Sequence, residues 1–458
     1  MAQLTHLPIP NVVVGTRPGL IPVETYAARI AAAQELFDAH EIDALIVYGD
    51  RESFADLCYL TGLDPRFEEA IFVLQSTGLG TLLLGNENLH QEPASLLSTK
   101  IVLWQALSPA GQKRDQPASL PAILREAGVE PGIRVGVAGG KAMNVGYVED
   151  IQHAIMAPAY LVDTLRQLVG STGDVVNAQA LFTDPRAGLR TSSTAEEIVR
   201  FEYAASITAQ SVQRAMAAIA VGVPEYVVAD ELRDAGLPHS CHAMMQFGPR
   251  QGLYSATGNT ASLGDAFTIA FGLRGGLTCR AGAVAASADD LTGENANTFD
   301  PLIRNYFDVV STWWESVQVD RTTGAVFEDV DRVRDETVFE FSLNPGHHLH
   351  LEEWTNSAFE AGSDVPLRSG SLLQCDVIPV VPRKNQYVNI EDGIALADGE
   401  LRTELSAGFP EFWERIERRR EFLRNNIGVN VHESVLPLSD IALWHAPYAL
   451  NPTQALTR

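Results

Sequence analysis

The segment NPGHHLHLEEW, residues 344–354, sets three imidazoles (His347, His348, His350) and two carboxylates (Glu352, Glu353) within seven residues. A structural core does not ask for so many titratable groups in one place, whereas proton transfer and cation binding do. In an extended segment alternate residues share a face. His348 and His350 then point one way and His347 the other, so at most two of the three serve one cavity. Two further acids stand out: Asp376, inside the apolar run LLQCDVIP, and Glu391, in VNIEDG. A carboxylate among Leu, Cys, Val and Ile is costly to bury unless it is paired, protonated or bound to a metal. Arg280, in LTCRAG, occupies a comparable apolar stretch and is a candidate counter-ion for Asp376 or a fork for a substrate carboxylate. His239 and His242, in LPHSCHAMM, are additional imidazoles that fit either a polar loop or a proton-transfer role.

The elements that carry these residues follow from hydrophobic periodicity. Residues 24–41 space Ala and Leu as a helix, and DALIVYGD, AIFVLQ, GTLLLG and GIRVGVAGG read as short strands, which gives an α/β domain with a mixed sheet over residues 1–185. The glycines of GVAGG do not have the GxGxxG spacing and read as a plain strand-to-loop turn. At Thr194 a capping box with Glu197 opens a long amphipathic helix and a second domain, residues 190–430. In that domain GDAFTIAFGLRGGLTCRAGAVA reads as a strand hairpin, PLIRNYFDVVSTWWESVQ as a helix, and SGSLLQCDVIPVVP with QYVNIEDGIALADGE as two strands joined by a polar turn. PEFWERIERRREFLRNNIG closes the domain as a helix whose arginines pair with Glu414, Glu417 and Glu421 on a solvated face. Residues 431–458 form a tail packed on the domain.

Composition bounds the function. With 458 residues the chain is long enough for two or three domains, and 46% hydrophobic residues suit buried cores. The 33 basic and 58 acidic side chains leave a net charge of −25, a field that repels nucleic acid and anionic lipid surfaces. The start lacks a cationic, apolar leader, and no apolar run reaches the eighteen or so residues of a membrane span, so a cytoplasmic location is expected. Four scattered cysteines with no CxxC pair suit reduced thiols.

The order of motifs resembles a known family. Thr194-Ala-Glu-Glu at a helix start, Gly264-Asp265 before a hairpin, Gly346-His347, Gly370 six residues before an acid, and Ile390-Glu391-Asp392 follow one another as in the pita-bread peptidases. This family includes aminopeptidase P, prolidase, methionine aminopeptidase and creatinase. The resemblance covers about residues 20–405. It implies an α/β (α+β) two-domain fold, with a creatinase-like N-terminal domain before a pita-bread catalytic domain. It also implies a homodimer in which Arg66 and Phe67 of DPRFEEA contribute to substrate binding, as could His348, His350 and His242.

Most members of the family bind two metal ions through two Asp, one His and two Glu, and creatinase binds none. The resemblance places His347 at the family histidine, Asp376 at the first glutamate and Glu391 at the second. The two aspartate positions fall on Ala270 and on Cys279 or Arg280, depending on the turn between the strands. Two carboxylates beside an inward Arg280 leave little charge to attract metal. No metal cofactor is therefore expected, with one divalent ion on His347, Asp376 and Glu391 as the alternative. The resemblance also puts Tyr254, in QGLYSATGN, where creatinase carries its catalytic histidine. The expected function is cleavage of a C–N bond in a small polar substrate, by hydrolysis or elimination, with His347, Asp376, Glu391, Tyr254 and Arg280 as catalytic groups. A single-metal Xaa-Pro peptidase-like hydrolase and a silent binding protein are the alternatives.

Overall fold

The computed structural model describes residues 2–90, 99–144, 146–250, 252–293, 295–381 and 385–458. The chain divides into two compact units, one of residues 19–190 and one of residues 1–18 with 191–458. The first eighteen residues thus belong with the second unit, not with the α/β domain expected over 1–185. The reason is pairing: strand β1 (Gln3–His6) runs antiparallel to a strand near the C-terminus, with Gln3 opposite Thr457.

The unit of residues 19–190 is a six-stranded mixed sheet. Its strands are β2 (Ala44–Gly49), β3 (Ala70–Gln75), β4 (Gly80–Leu84), β5 (Thr99–Leu103), β6 (Arg134–Ala138) and β7 (Asp174–Asn177), in the order β5-β4-β3-β2-β6-β7. Pairs β2–β3 and β3–β4 are antiparallel; β4–β5, β2–β6 and β6–β7 are parallel. β2 and β4 are buried along their whole length, which is why they read as continuous apolar runs rather than alternating ones. The GVAGG turn after β6 is structural. The Gly139 and Gly140 amides both donate to Gln179 Oε1 at 3.0 Å, and a Cβ at Gly139 would meet the Tyr48 carbonyl oxygen at 2.3 Å.

The other unit is built on a seven-stranded antiparallel sheet. Its strands are β8 (Met244–Phe247), β9 (Ala266–Leu273), β10 (Gly276–Ala283), β12 (His347–His348), β13 (Leu372–Cys375), β15 (Asn389–Leu396) and β16 (Val435–Pro437). The order is β12-β13-β15-β10-β9-β8, with β16 also pairing with β15. A separate two-stranded pair joins β11 (Glu340–Phe341) to β14 (Pro379–Val380), and β17 (Gln454–Thr457) is the partner of β1. The polar turn expected near residues 382–384 lies outside the described residues. Helix Ala195–Ala217 begins at the capping box read from sequence: the Thr194 side chain accepts from the Glu197 amide, and the Glu197 carboxylate accepts from the Thr194 amide.

The arginines of helix Pro410–Phe422 form a solvated face only in part: Arg418 is exposed and Arg420 lies 3.9 Å from Glu417, while Arg415 and Arg419 turn inward. Arg415 reaches both Glu202 oxygens at 2.9 and 2.8 Å, and Arg419 reaches Glu202 at 2.7 Å and Asp440 at 3.2 Å. Both are buried. Their partners lie far away in sequence, so a reading confined to neighbours on the same helix missed them. No helix among the described residues is long and apolar enough to cross a membrane.

Candidate active site

Four adjacent antiparallel strands put one residue each on a common row. Met244 stands opposite Ala270, Ala270 opposite Cys279, and Cys279 opposite Glu391. Residues directly opposite in an antiparallel pair project to the same face, so all four share it. The register continues on the far side of β15. Cys375 is opposite Asp392, which brings Asp376 beside Glu391, and His347 on β12 is opposite Gln374. One face of one sheet thus collects His347, Asp376 and Glu391.

The imidazole of His347 is fully buried. Its Nδ1 lies 3.1 Å from the His348 carbonyl oxygen, which accepts from the Nδ1–H and leaves Nε2 aimed at the carboxylates. Nε2 stands 3.3 Å from Glu353 Oε1, 3.8 Å from Asp376 Oδ2 and 4.0 Å from Glu391 Oε1. None of these contacts is aligned as a hydrogen bond, and Asp376 Oδ1 and Glu391 Oε1 also lack a hydrogen-bond partner among the described residues. The Trp354 indole stacks on the imidazole, with centroids 4.0 Å apart and planes 21° apart. Gly346 is required just before His347, because a Cβ there would meet Trp313 Nε1 at 2.8 Å.

Burial and mutual repulsion set the protonation of the cluster. Glu391 is pushed well above the ordinary carboxylate range by burial first, then by the charges of Asp376 and Glu353. Asp376 is raised to about 7, again chiefly by burial, with His347 pulling against it. Burial disfavours the charged form of His347, but the close Glu353 and Asp376 carboxylates outweigh it and raise its pKa. These groups titrate as a set.

Two positioning features are absent from the sequence reading. Glu353, in sequence one acid of a polar run, stands nearer to His347 Nε2 than Asp376 or Glu391 does. Tyr306, from helix Asn295–Ser316, donates to the Val377 carbonyl at 2.7 Å and accepts from the Ile390 amide at 3.1 Å. It therefore fixes the backbone beside both Asp376 and Glu391. The polar Tyr in an otherwise apolar helix face was the available signal.

Several expected site residues lie elsewhere. Arg280 does not enter the pocket: Nη2 is 2.9 Å from both Asp392 oxygens, and the guanidinium also donates to the carbonyls of Trp444, Cys279, Glu391 and Ile441. The turn Arg274–Gly275 explains this, since it pairs Ala270 with Cys279 and turns Arg280 to the opposite face. His348 and His350 are buried, as His347 is. His348 Nδ1 is 3.1 Å from Asn356 Oδ1, and burial lowers its pKa to about 4. His350 lies edge-on to Phe201 and 3.7 Å from Glu197. Tyr254 is 42% exposed, with Arg250 over its ring at 3.9 Å, and is not joined to the cluster. His242 Nε2 is 3.1 Å from the Leu253 carbonyl oxygen, and His239 pairs with Asp234 at 3.0 Å. In the unit of residues 19–190, Arg66 pairs with Asp64 at 3.1 Å and Phe67 is 67% exposed, an arrangement that leaves their expected contribution to a partner's pocket a proposal.

These placements change the charge arithmetic of the pocket. Removing Arg280 and adding Glu353 leaves three carboxylates and an imidazole, and among the described residues no Lys or Arg pairs with any of the three acids. Donor atoms of His347, Glu353 and Glu391 all lie within 4.8 Å of one another. That set fits one divalent ion. Ala270 and Cys279 occupy the same row as Glu391, packed with Met244 and Leu277 as an apolar wall.

Comparison with known proteins agrees with the architecture. Residues 29–168 match the family described as the Creatinase/Prolidase N-terminal domain. No curated protein matches the chain. Among solved structures, a prolidase from Thermococcus sibiricus is similar with a TM-score of 0.64 at 16% identity, covering 83% of this chain and 96% of that one. Dipeptidase PepE from Mycobacterium ulcerans gives 0.62 at 18% identity, covering 83% and 95%. An X-Pro aminopeptidase from Thermotoga maritima gives 0.59 at 14% identity, covering 81% and 95%. The chain therefore joins a domain of the creatinase/prolidase N-terminal family to a unit with the pita-bread fold of prolidases and aminopeptidases P.

Proposed function

We propose that the protein is a hydrolase that cleaves a C–N bond in a small polar amino-acid-like, amide or guanidino substrate without the dinuclear metal centre of the family it resembles. The convergence of His347, Glu353, Asp376 and Glu391 in one buried pocket, opposite Ala270 and Cys279, carries this reading. Several structural neighbours are named as Xaa-Pro dipeptidases or prolidases, which supports hydrolysis of an amide-type bond as the reaction class.

The chemistry follows from the protonation of the cluster. Asp376, near 7, takes a proton from water as the water oxygen adds to the substrate carbon. The same carboxyl returns that proton to the leaving nitrogen as the C–N bond breaks. Burial and the neighbouring carboxylates favour the protonated form of Glu391, which donates a hydrogen bond to the oxygen that gains negative charge. Glu353 and Trp354 hold His347 in place from two sides.

We further propose a homodimer, supported by the exposed ring of Phe67, and a cytoplasmic location, supported by the buried free thiols of Cys279 and Cys375. The test of the activity is a panel of dipeptides, N-acyl amino acids and guanidino acids, with released amine measured by mass spectrometry. Hydrolysis of a panel member by the parent and not by Asp376→Asn is the expected result. Equal rates for both proteins would contradict the assignment.

A further inference from the structure

We propose that the side-chain oxygen of Gln374 accepts a hydrogen bond from the N–H of the bond that breaks, so that the substrate is a secondary amide rather than a tertiary amide of the Xaa-Pro type. The inference deepens the reading of this pocket as the active site and rests on it.

Gln374 lies on the sheet face that carries the pocket. On β13 it stands opposite His347 on one side and Gly393 of β15 on the other, and Gly393 is two positions from Glu391 on the same face. Its side chain crosses β15 at Gly393 and reaches β10, where Nε2 donates to the Leu277 carbonyl at 2.8 Å. A glycine lets it pass, because a Cβ at position 393 would meet Gln374 Oε1 at 3.1 Å. Burial pushes the Glu391 carboxyl up and a side-chain hydrogen bond from Gln374 opposes that push, so the carboxamide adjoins the Glu391 carboxyl itself.

These contacts fix which end of the carboxamide is which. The Leu277 carbonyl oxygen only accepts, so the atom beside it is the nitrogen, and Oε1 is assigned with it. Oε1 is buried with no hydrogen-bond partner among the described residues, on a side chain that is 0% exposed. A neutral acceptor left in that state calls for a donor from a ligand.

The chemistry of the reacting group names the donor. Of the atoms bonded to an amide carbon, the oxygen accepts, the carbon does neither, and only the nitrogen carries a proton to donate. An acceptor beside Glu391 therefore pairs with the amide N–H. A tertiary amide has no such proton and leaves Oε1 buried and unmet, which disfavours it.

The experiment compares matched substrates that differ by one N-methyl group on the full chain: Ala-Gly with Ala-(N-methyl)glycine, and N-acetylglycine with N-acetyl-N-methylglycine, with Ala-Pro alongside. The N–H member of a hydrolysed pair should have a kcat/KM about tenfold or more above its N-methyl counterpart, and Ala-Pro should rank with the N-methyl members. In Gln374→Met, which keeps the side-chain length without the acceptor oxygen, that preference should collapse to within a few-fold. Gly393→Ala, which crowds Oε1, should reduce it in the same direction. Equal kcat/KM within each pair for the parent, or a folded Gln374→Met that keeps the parent's preference, would overturn the inference and leave the activity standing, as would hydrolysis confined to guanidino acids. A parent that hydrolyses no panel member would overturn the activity and this inference together.

Discussion

Arg280 and Asp392 form a fully buried ion pair on the sheet face opposite Glu391, with one guanidinium nitrogen 2.9 Å from both carboxylate oxygens. One position along each strand separates this structural pair from the pocket. Burial still pushes Asp392 upward despite the pull of Arg280, so the pair is sustained by the backbone carbonyls around it as well as by its own attraction. Removing one member leaves an uncompensated buried charge. Arg280→Met should cost about 3 kcal/mol or more, and Arg280→Met with Asp392→Leu should recover part of that loss. Denaturant unfolding of both variants reads the difference, and a single variant as stable as the parent would refute the structural role.

Tyr306 should act through the backbone it holds. Tyr306→Phe removes hydrogen bonds beside Asp376 and Glu391 and should cost about 1–3 kcal/mol in stability. Turnover should also fall, with kcat affected more than KM and the pH profile displaced, because the two carboxyls lose their fixed spacing. A variant that is less stable but unchanged in kcat and pH profile would limit Tyr306 to packing.

The cluster predicts a pH dependence of stability in metal-stripped protein. Asp376 and Glu391 have folded pKa values raised above those of the unfolded chain, so the native state binds more protons. The favourable contribution of Asp376 is full below about pH 4 and is lost as pH rises through about 7, and that of Glu391 has the same sign. Relative to Asp376→Asn, the parent's denaturant midpoint should fall between these pH values. Parallel profiles for the two proteins without metal would count against the buried, unpaired carboxyl.

Association is checked by light scattering with size exclusion at micromolar concentration. The parent should run as a dimer, and Phe67→Glu should shift it toward monomer. A monomeric parent would remove the dimer from the account.

Much of the fold was legible because buried strands leave continuous apolar runs: β3 spans the run AIFVLQ and β9–β10 the expected hairpin. Three of the four pocket groups were legible too, since His347, Asp376 and Glu391 are polar residues in apolar settings. What failed depended on register and turns. A two-residue turn decides whether Cys279 or Arg280 faces the pocket, and sequence left that open. Strand β12 has only two residues before the chain bends, so alternation stops applying before Glu353. Glu202 and Asp440, the partners of Arg415 and Arg419, lie too far along the chain for local spacing to reveal them.

The central claim is that one buried pocket performs the hydrolysis. Its most direct test is kcat for Asp376→Asn and Glu391→Gln beside the parent on the best panel substrate, with folding confirmed by circular dichroism. The account predicts folded variants that each lose about 10²-fold or more in turnover. Both variants within a few-fold of the parent would place the active site elsewhere.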